Sequence, residues 1–126
     1  IGSGCHALVV QGDGGLQLSI GELSACAEHQ IPVIVLVFND SGYNILRIIQ
    51  DNVLGHKHGT ELPKVDFVAV ANGMGVEAER VEGVDQFEPA LARALDRQGP
   101  TLLDIDMEFL APIQLPLPAH QRGKED

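Results

Sequence analysis

Pro32-Val33-Ile34-Val35-Leu36-Val37-Phe38-Asn39-Asp40-Ser41-Gly42 decides the fold. Its apolar core, Val33 to Phe38, runs without polar alternation. A strand with one wet face alternates; an unbroken branched run belongs where both faces are covered, as in a parallel sheet. The run stops abruptly at Asn39-Asp40-Ser41-Gly42, a turn by composition.

Upstream, Leu16, Ile20, Leu23 and Ala27 recur at helical spacing and predict one helix over Leu16–His29, stopped by Pro32. Ahead of it, Ala7–Val10 is a short β-rich run that breaks at Gln11-Gly12-Asp13-Gly14-Gly15. Downstream, Tyr43 to about Asp51 predicts a helix with Ile45, Ile48 and Ile49 on one face, and Asn52–Lys64 a polar loop. Asp66 is placed to cap a helix running to Asn72 and closed by Gly73. Val76–Val81 mixes apolar and charged residues as an edge strand does. A helix opening at Val84 or Asp85, with Phe87, Leu91 and Leu95 as its core stripe, ends at Gly99-Pro100, and Thr101–Met107 is the last strand. The order β-α-β-α-α-β-α-β predicts an α/β fold: three layers, an open and mostly parallel sheet with helices on both faces. Residues 1–110 form one domain in this reading. Residues 111–126, rich in proline and then polar, are expected to be an extended tail.

Composition narrows the function. The chain has 126 residues, 44% hydrophobic but only 4% aromatic, with 14 glycines and a formal charge of −10. That describes an aliphatic core with tight turns and an acidic surface. The eight basic residues do not cluster, which argues against nucleic acid as a partner. No apolar run approaches the roughly 20 residues needed to span a bilayer, so no membrane association is expected, nor is a signal peptide. Cys5 and Cys26 match no CxxC or zinc spacing and read as reduced, small apolar groups of a reducing, cytoplasmic compartment.

Ligands of open α/β sheets collect beyond the carboxyl ends of the strands. Two such ends carry acidic, glycine-rich turns: Gly12-Asp13-Gly14-Gly15 and Asn39-Asp40-Ser41-Gly42. Asp13 and Asp40 lie 27 residues apart, about the length of one β-α-β unit, which returns the chain to the same end of the sheet. Two carboxylates and the Gly42 carbonyl suit Mg²⁺ or Ca²⁺, and Mg²⁺ commonly completes its shell with phosphate oxygens and water. Gly12, Gly14 and Gly15 let backbone approach a ligand and adopt positive φ, and the following helix points free N–H groups into the same space. By itself a Gly-Asp-Gly is more often only a turn; the second acidic turn at this spacing shifts the balance.

At these residues the sequence resembles the diphosphate-binding (PP) domain of thiamine diphosphate enzymes, in the acetohydroxyacid synthase and 2-oxo acid decarboxylase branch. Gly12-Asp13-Gly14 and Asn39-Asp40-Ser41-Gly42-Tyr43 carry the likeness, joined by Leu16-Gln17-Leu18, Glu22-Leu23-Ser24, Gly59-Thr60-Glu61-Leu62, Asp66-Phe67, Met74-Gly75 and Gly99–Asp104. The resemblance covers about residues 7–108. It implies the cofactors thiamine diphosphate and Mg²⁺, with Asp13, Asp40 and the Gly42 carbonyl as metal ligands. Gly14 and Gly15 would meet the diphosphate through backbone N–H groups, and Tyr43 would border the cofactor. Asp40 stands where most relatives carry asparagine, and so adds a charge beside the diphosphate. Leu46 stands where some decarboxylases of the branch carry a catalytic glutamate, so decarboxylation assisted by that group is not supported. The implied activity is decarboxylation or carboligation of a small 2-oxo acid by a larger, homo-oligomeric enzyme. A pyrimidine-binding domain of the same or a partner subunit completes its site, and this domain alone is expected to be inactive. A regulatory or non-catalytic member, or an unrelated Mg²⁺–phosphate module, are the alternatives.

Other candidates read more plainly. His56 and His58 lie in a polar loop with no third ligand and predict a solvated segment. Asp104 and Asp106 share one face of the last strand as a polar strand end. Arg47 is a solvated helix residue, or else meets an anionic substrate or a partner domain. The remaining acidic residues are expected at the surface.

Overall fold

The computed structural model describes residues 4–110. Four strands form one sheet in the order β1 (Ala7–Gly12), β2 (Val33–Asn39), β4 (Thr101–Asp106), β3 (Glu77–Val81), and every pairing is parallel. Helices α1 (Asp13–Ser19), α2 (Glu22–Glu28), α3 (Asn44–Leu54), α4 (Phe67–Gly73) and α5 (Val84–Leu95) connect them, and a 3₁₀ turn spans Met107–Phe109. This is the expected open α/β sheet.

β2 is central and buried on both faces, as its uninterrupted apolar run requires. Val33, Val35 and Val37 turn to one side, where Leu102 of β4 and the helical Leu16, Leu23, Phe67 and Ala71 close a core. Ile34 and Leu36 turn to the other, packing with Leu103, Ile105, Val81 and the α5 alanines Ala90 and Ala94. Each fully buried Val, Leu or Ile contributes about 1.5–3 kcal/mol, so these two small layers hold the sheet. β3 is indeed an edge, and its outward Glu77 and Glu79 pair with Arg97 and Arg93. Such charged edges discourage pairing with foreign strands.

Several expectations need correction. The helix foreseen over Leu16–His29 is two helices, and the first begins at Asp13. At their junction Leu23 and Ser24 donate to the carbonyls of Ile20 and Gly21, a tighter pattern than the α-helical one, yet Leu16 and Leu23 both reach the core. α3 continues to Leu54, where Gly55 at φ +67° caps it, so the polar loop starts later than its composition suggests. Left-handed backbone after α4 falls at Gly75 (φ +82°), with Gly73 still inside the helix. On α5 the deeply buried residues are Ala90 and Ala94, while Leu95 is exposed. Cys26 packs against the core, but Cys5 is exposed. Ile45 and Ile49 do not face a core: α3 has no buried residue. β1 is likewise uncovered on its outer side, with Leu8 and Val10 58% and 60% exposed. The tail foreseen over residues 111–126 lies outside the described residues.

This layering predicts unequal costs for equal truncations. Leu102→Ala should lower unfolding stability by about 2–5 kcal/mol, because its side chain is fully enclosed. Leu8→Ala should cost within about 0.5 kcal/mol, as exposed positions do. Urea denaturation of both variants of this chain measures the contrast.

Candidate functional site

The β1–β2 register sets Gly12 opposite Phe38, so both chains leave the sheet at the same level. β1 hands over directly to α1 at Asp13, and β2 to the turn Asp40–Tyr43. The buried carboxyl of Asp13 accepts a hydrogen bond from the Gly42 N–H at 3.0 Å, stitching one turn to the other. A cavity of about 260 Å³ opens between them, and Gly12, Asp13, Gly14, Gly15, Asp40, Gly42 and Tyr43 all line it. Every residue expected at the site is therefore in one place, with Leu46 and Met107 at the same wall.

The glycines act differently from expectation. None of Gly12, Gly14 and Gly15 has positive φ, since α1 starts here and the backbone is already helical or extended. At Gly14 it is the Tyr43 ring that comes close: a β-carbon there would collide with its Cε1. Around Gly12 and Gly15 the nearest atoms beyond their chain neighbours are 3.9 and 3.7 Å from such a carbon, leaving room. Ser41 carries the left-handed backbone of the site (φ 57°), and Asn39 steadies it by accepting the Ser41 N–H through Oδ1 at 3.2 Å.

Asn39 leads to a support that sequence reasoning missed. Its side-chain amide donates to Asp104 at 3.0 Å, and Asp104, almost wholly buried, receives Arg80 at 2.7 Å. Arg80 also holds Asp106 at 2.7 Å, while Asp106 accepts the Glu108 N–H at 2.9 Å. The Glu108 N–H, with help from Arg80, keeps the Asp106 carboxyl below its ordinary pKa. Asp104 and Asp106 do share a polar strand end, as expected, but Asp104 is buried rather than at the surface, because Arg80 and Asn39 enclose it, and this brace carries the Asp40 turn. The parity of Asp104 and Asp106 was visible in sequence; their partner on β3 was not.

Arg47 is neither solvated nor free. Its Nη2 lies 3.1 Å from the Asp40 carboxylate and donates to the Asp40 carbonyl at 3.1 Å, while Nη1 lies 3.3 Å from Glu61. Even so, Asp40 Oδ1 is buried without a properly directed hydrogen bond. Burial raises the pKa of Asp13, and the negative charge of Asp40 raises it further, against hydrogen bonds from the Gly14 and Gly42 backbone. Burial likewise raises that of Asp40, opposed by Arg47. A buried and a half-buried carboxyl that both resist ionisation, the latter with a buried unsatisfied oxygen, are a donor set that a hard divalent cation fits. Among the described residues there is no cluster of three His, Cys, Asp or Glu side chains able to hold a metal. His56 and His58 are exposed, as expected. No helix among those residues is long and apolar enough to cross a membrane.

A carboxyl with a raised folded pKa binds its proton more tightly in the folded chain, so protonation stabilises the fold and that gain vanishes as pH rises through the raised value. In metal-free solution Asp13→Asn should therefore be more stable than the parent chain at pH 8, by a margin that shrinks as pH falls toward 5. Thermal unfolding across this range checks it; a margin independent of pH contradicts the assignment.

Comparison with known proteins agrees with this fold. The family described as thiamine pyrophosphate enzyme, C-terminal TPP binding domain, matches residues 3–105. An acetolactate synthase of Bacillus subtilis is 28% identical over 106 residues, covering 84% of this chain and 19% of that protein. A catabolic acetolactate synthase of Raoultella terrigena is 30% identical over 100 residues, covering 79% and 18%. The solved structure of a thiamine diphosphate-dependent 4-hydroxybenzoylformate decarboxylase from Rhodococcus jostii superposes with a TM-score of 0.76 at 31% identity, covering 81% of this chain and 20% of that one. The chain spans about a fifth of the length of the relatives it matches.

Proposed function

The chain belongs to the thiamine pyrophosphate enzymes, as a C-terminal TPP-binding domain, and we propose that it holds the diphosphate of that cofactor through Mg²⁺ in the cavity between its two acidic turns. The observation that carries this reading is the pair of carboxyls, Asp13 buried and Asp40 half-buried, set at the ends of adjacent parallel strands and both raised in pKa. Asp13, Asp40 and the Gly42 carbonyl hold the metal. Gly12, Gly14 and Gly15 present backbone to the diphosphate, and Tyr43 borders the cofactor while its ring covers Gly14.

Bound thiamine diphosphate supplies the electron sink for carbanion chemistry at a carbonyl carbon. This chain's own residues bind and orient. Leu46, at the cavity wall, offers apolar surface and no proton-transferring group. Any acid or base needed for decarboxylation or carboligation of a 2-oxo acid then comes from another domain, and the domain alone is inactive. Two uncovered apolar surfaces support a partner: the α3 face with Ile45, Ile49 and Val53, and the outer side of β1. They suit a pyrimidine-binding domain of the same or a second subunit in a homo-oligomer of the cytoplasm.

In the full-length protein, calorimetry with thiamine diphosphate should show binding that disappears when Mg²⁺ is chelated. Asp13→Ala should weaken it by more than about 100-fold, since loss of an outer partner of a metal ligand already costs about 10–100-fold. Metal-independent binding, or an unchanged affinity in Asp13→Ala, overturns the assignment.

A further inference from the structure

The Asp40 turn is gripped from behind. Arg47, in the first turn of α3, donates its backbone N–H to the Tyr43 carbonyl at 2.9 Å and bends its guanidinium back beneath Asp40. There Nη2 meets both the carboxylate and the carbonyl of Asp40, each at 3.1 Å. The far side of the guanidinium meets Glu61 at 3.3 Å. Residues 60–62 in turn run antiparallel to the turn: Tyr43 N–H donates to the Thr60 carbonyl at 2.9 Å, Leu62 N–H to the Ser41 carbonyl at 3.2 Å. Gly42 fits between these parts only as glycine, because a β-carbon would lie 2.8 Å from the Thr60 oxygen and 3.0 Å from the Arg47 Cζ.

Charge gives this packing a purpose. Asp13 and Asp40, both ionised, carry two negative charges; a divalent cation balances them and leaves nothing over for a diphosphate. One further positive charge against Asp40, shared on its far side with the exposed and solvent-screened Glu61, reduces that deficit. The Arg47 and Asp40 side chains are each 18% exposed, so solvent screens the pair far less than an ion pair at the surface. Arginine suits the task because its rigid fork reaches the carboxylate, the carbonyl and Glu61 together.

We propose that Arg47 is a positioning residue of the cofactor site: its guanidinium offsets the charge that Asp40 adds and fixes Asp40 and Gly42 for the metal. This rests on the Mg²⁺–diphosphate reading above. Arg47 touches neither cofactor nor substrate in this role; it acts through Asp40.

The test is thiamine diphosphate affinity of the full-length protein at saturating Mg²⁺, by calorimetry, for Arg47→Gln, Asp40→Asn and the double variant. Arg47→Gln should weaken binding about 10–100-fold, the range of a charge-assisted contact. Asp40→Asn in the same chain should restore most of the loss, because the charge to be balanced has gone. An unchanged affinity in Arg47→Gln overturns the proposal. So does a loss that Asp40→Asn leaves in place, which marks Arg47 as a brace for residues 60–62 alone. If Arg47→Gln fails to fold, Arg47→Lys serves instead: a smaller loss, restored by Asp40→Asn, is expected, and no restoration overturns the proposal. Parent protein that binds the cofactor without Mg²⁺ overturns the underlying reading too; metal-dependent binding indifferent to Arg47 overturns this inference alone.

Discussion

Parallel pairing of β1 with β2 is the constraint on which the site depends. Six consecutive register pairs, Ala7 with Val33 through Gly12 with Phe38, make the two strands end level. Antiparallel strands would have sent Asp13 and Asp40 to opposite ends of the sheet. A parallel pair needs a crossover between its members, and α1 with α2 supplies it, burying Leu16 and Leu23 on β2 as it returns. The crossover is thus part of the core and also the device that brings two acidic turns together. The Asp13–Gly42 hydrogen bond is the consequence, not the cause, of that alignment.

Bringing two carboxyls together has an electrostatic cost, and much of the surrounding structure is organised against it. Backbone N–H groups of Gly14 and Gly42 face Asp13, and Arg47 faces Asp40, yet both groups remain raised in pKa. Behind the turn, Arg80, Asp104 and Asn39 form a chain of hydrogen bonds from the edge strand to the Ser41 N–H. That chain holds the left-handed backbone at Ser41, which costs of order 1–3 kcal/mol in a non-glycine residue. A site kept tense by like charge and by backbone strain is one in which a cation has something to relieve.

The fold was legible where burial is symmetric. The unbroken run Val33–Phe38 reports a strand covered on both faces, because nothing else needs so many branched residues in a row. Alternation along Val76–Val81 reports an edge for the complementary reason. What misled was the assumption that an apolar helix stripe faces this chain's own core: Ile45 and Ile49 on α3 are apolar yet exposed, as are Leu8 and Val10 on the strand β1. Their spacing is correct for burial, but the burying surface is not among the described residues. At the site, Asp13, Asp40 and the glycines were legible from the spacing of the two turns. Asn39, Arg80 and Asp104 as supports were not, since they act through partners far along the chain: Asn39 and Asp104 are 65 residues apart, Arg80 and Asp104 24. Arg47 is only seven residues from Asp40, but spacing does not report that its guanidinium folds back onto the turn.

The account stands on a single cation held jointly by the two turns. Anomalous diffraction from crystals of the full-length protein grown with Mn²⁺ and thiamine diphosphate locates that ion directly. One peak bonded to the Asp13 and Asp40 carboxylates and the Gly42 carbonyl, with diphosphate oxygens completing the shell, is the predicted result. Diphosphate density in the cavity with no metal touching Asp13, or a peak bound elsewhere, contradicts it.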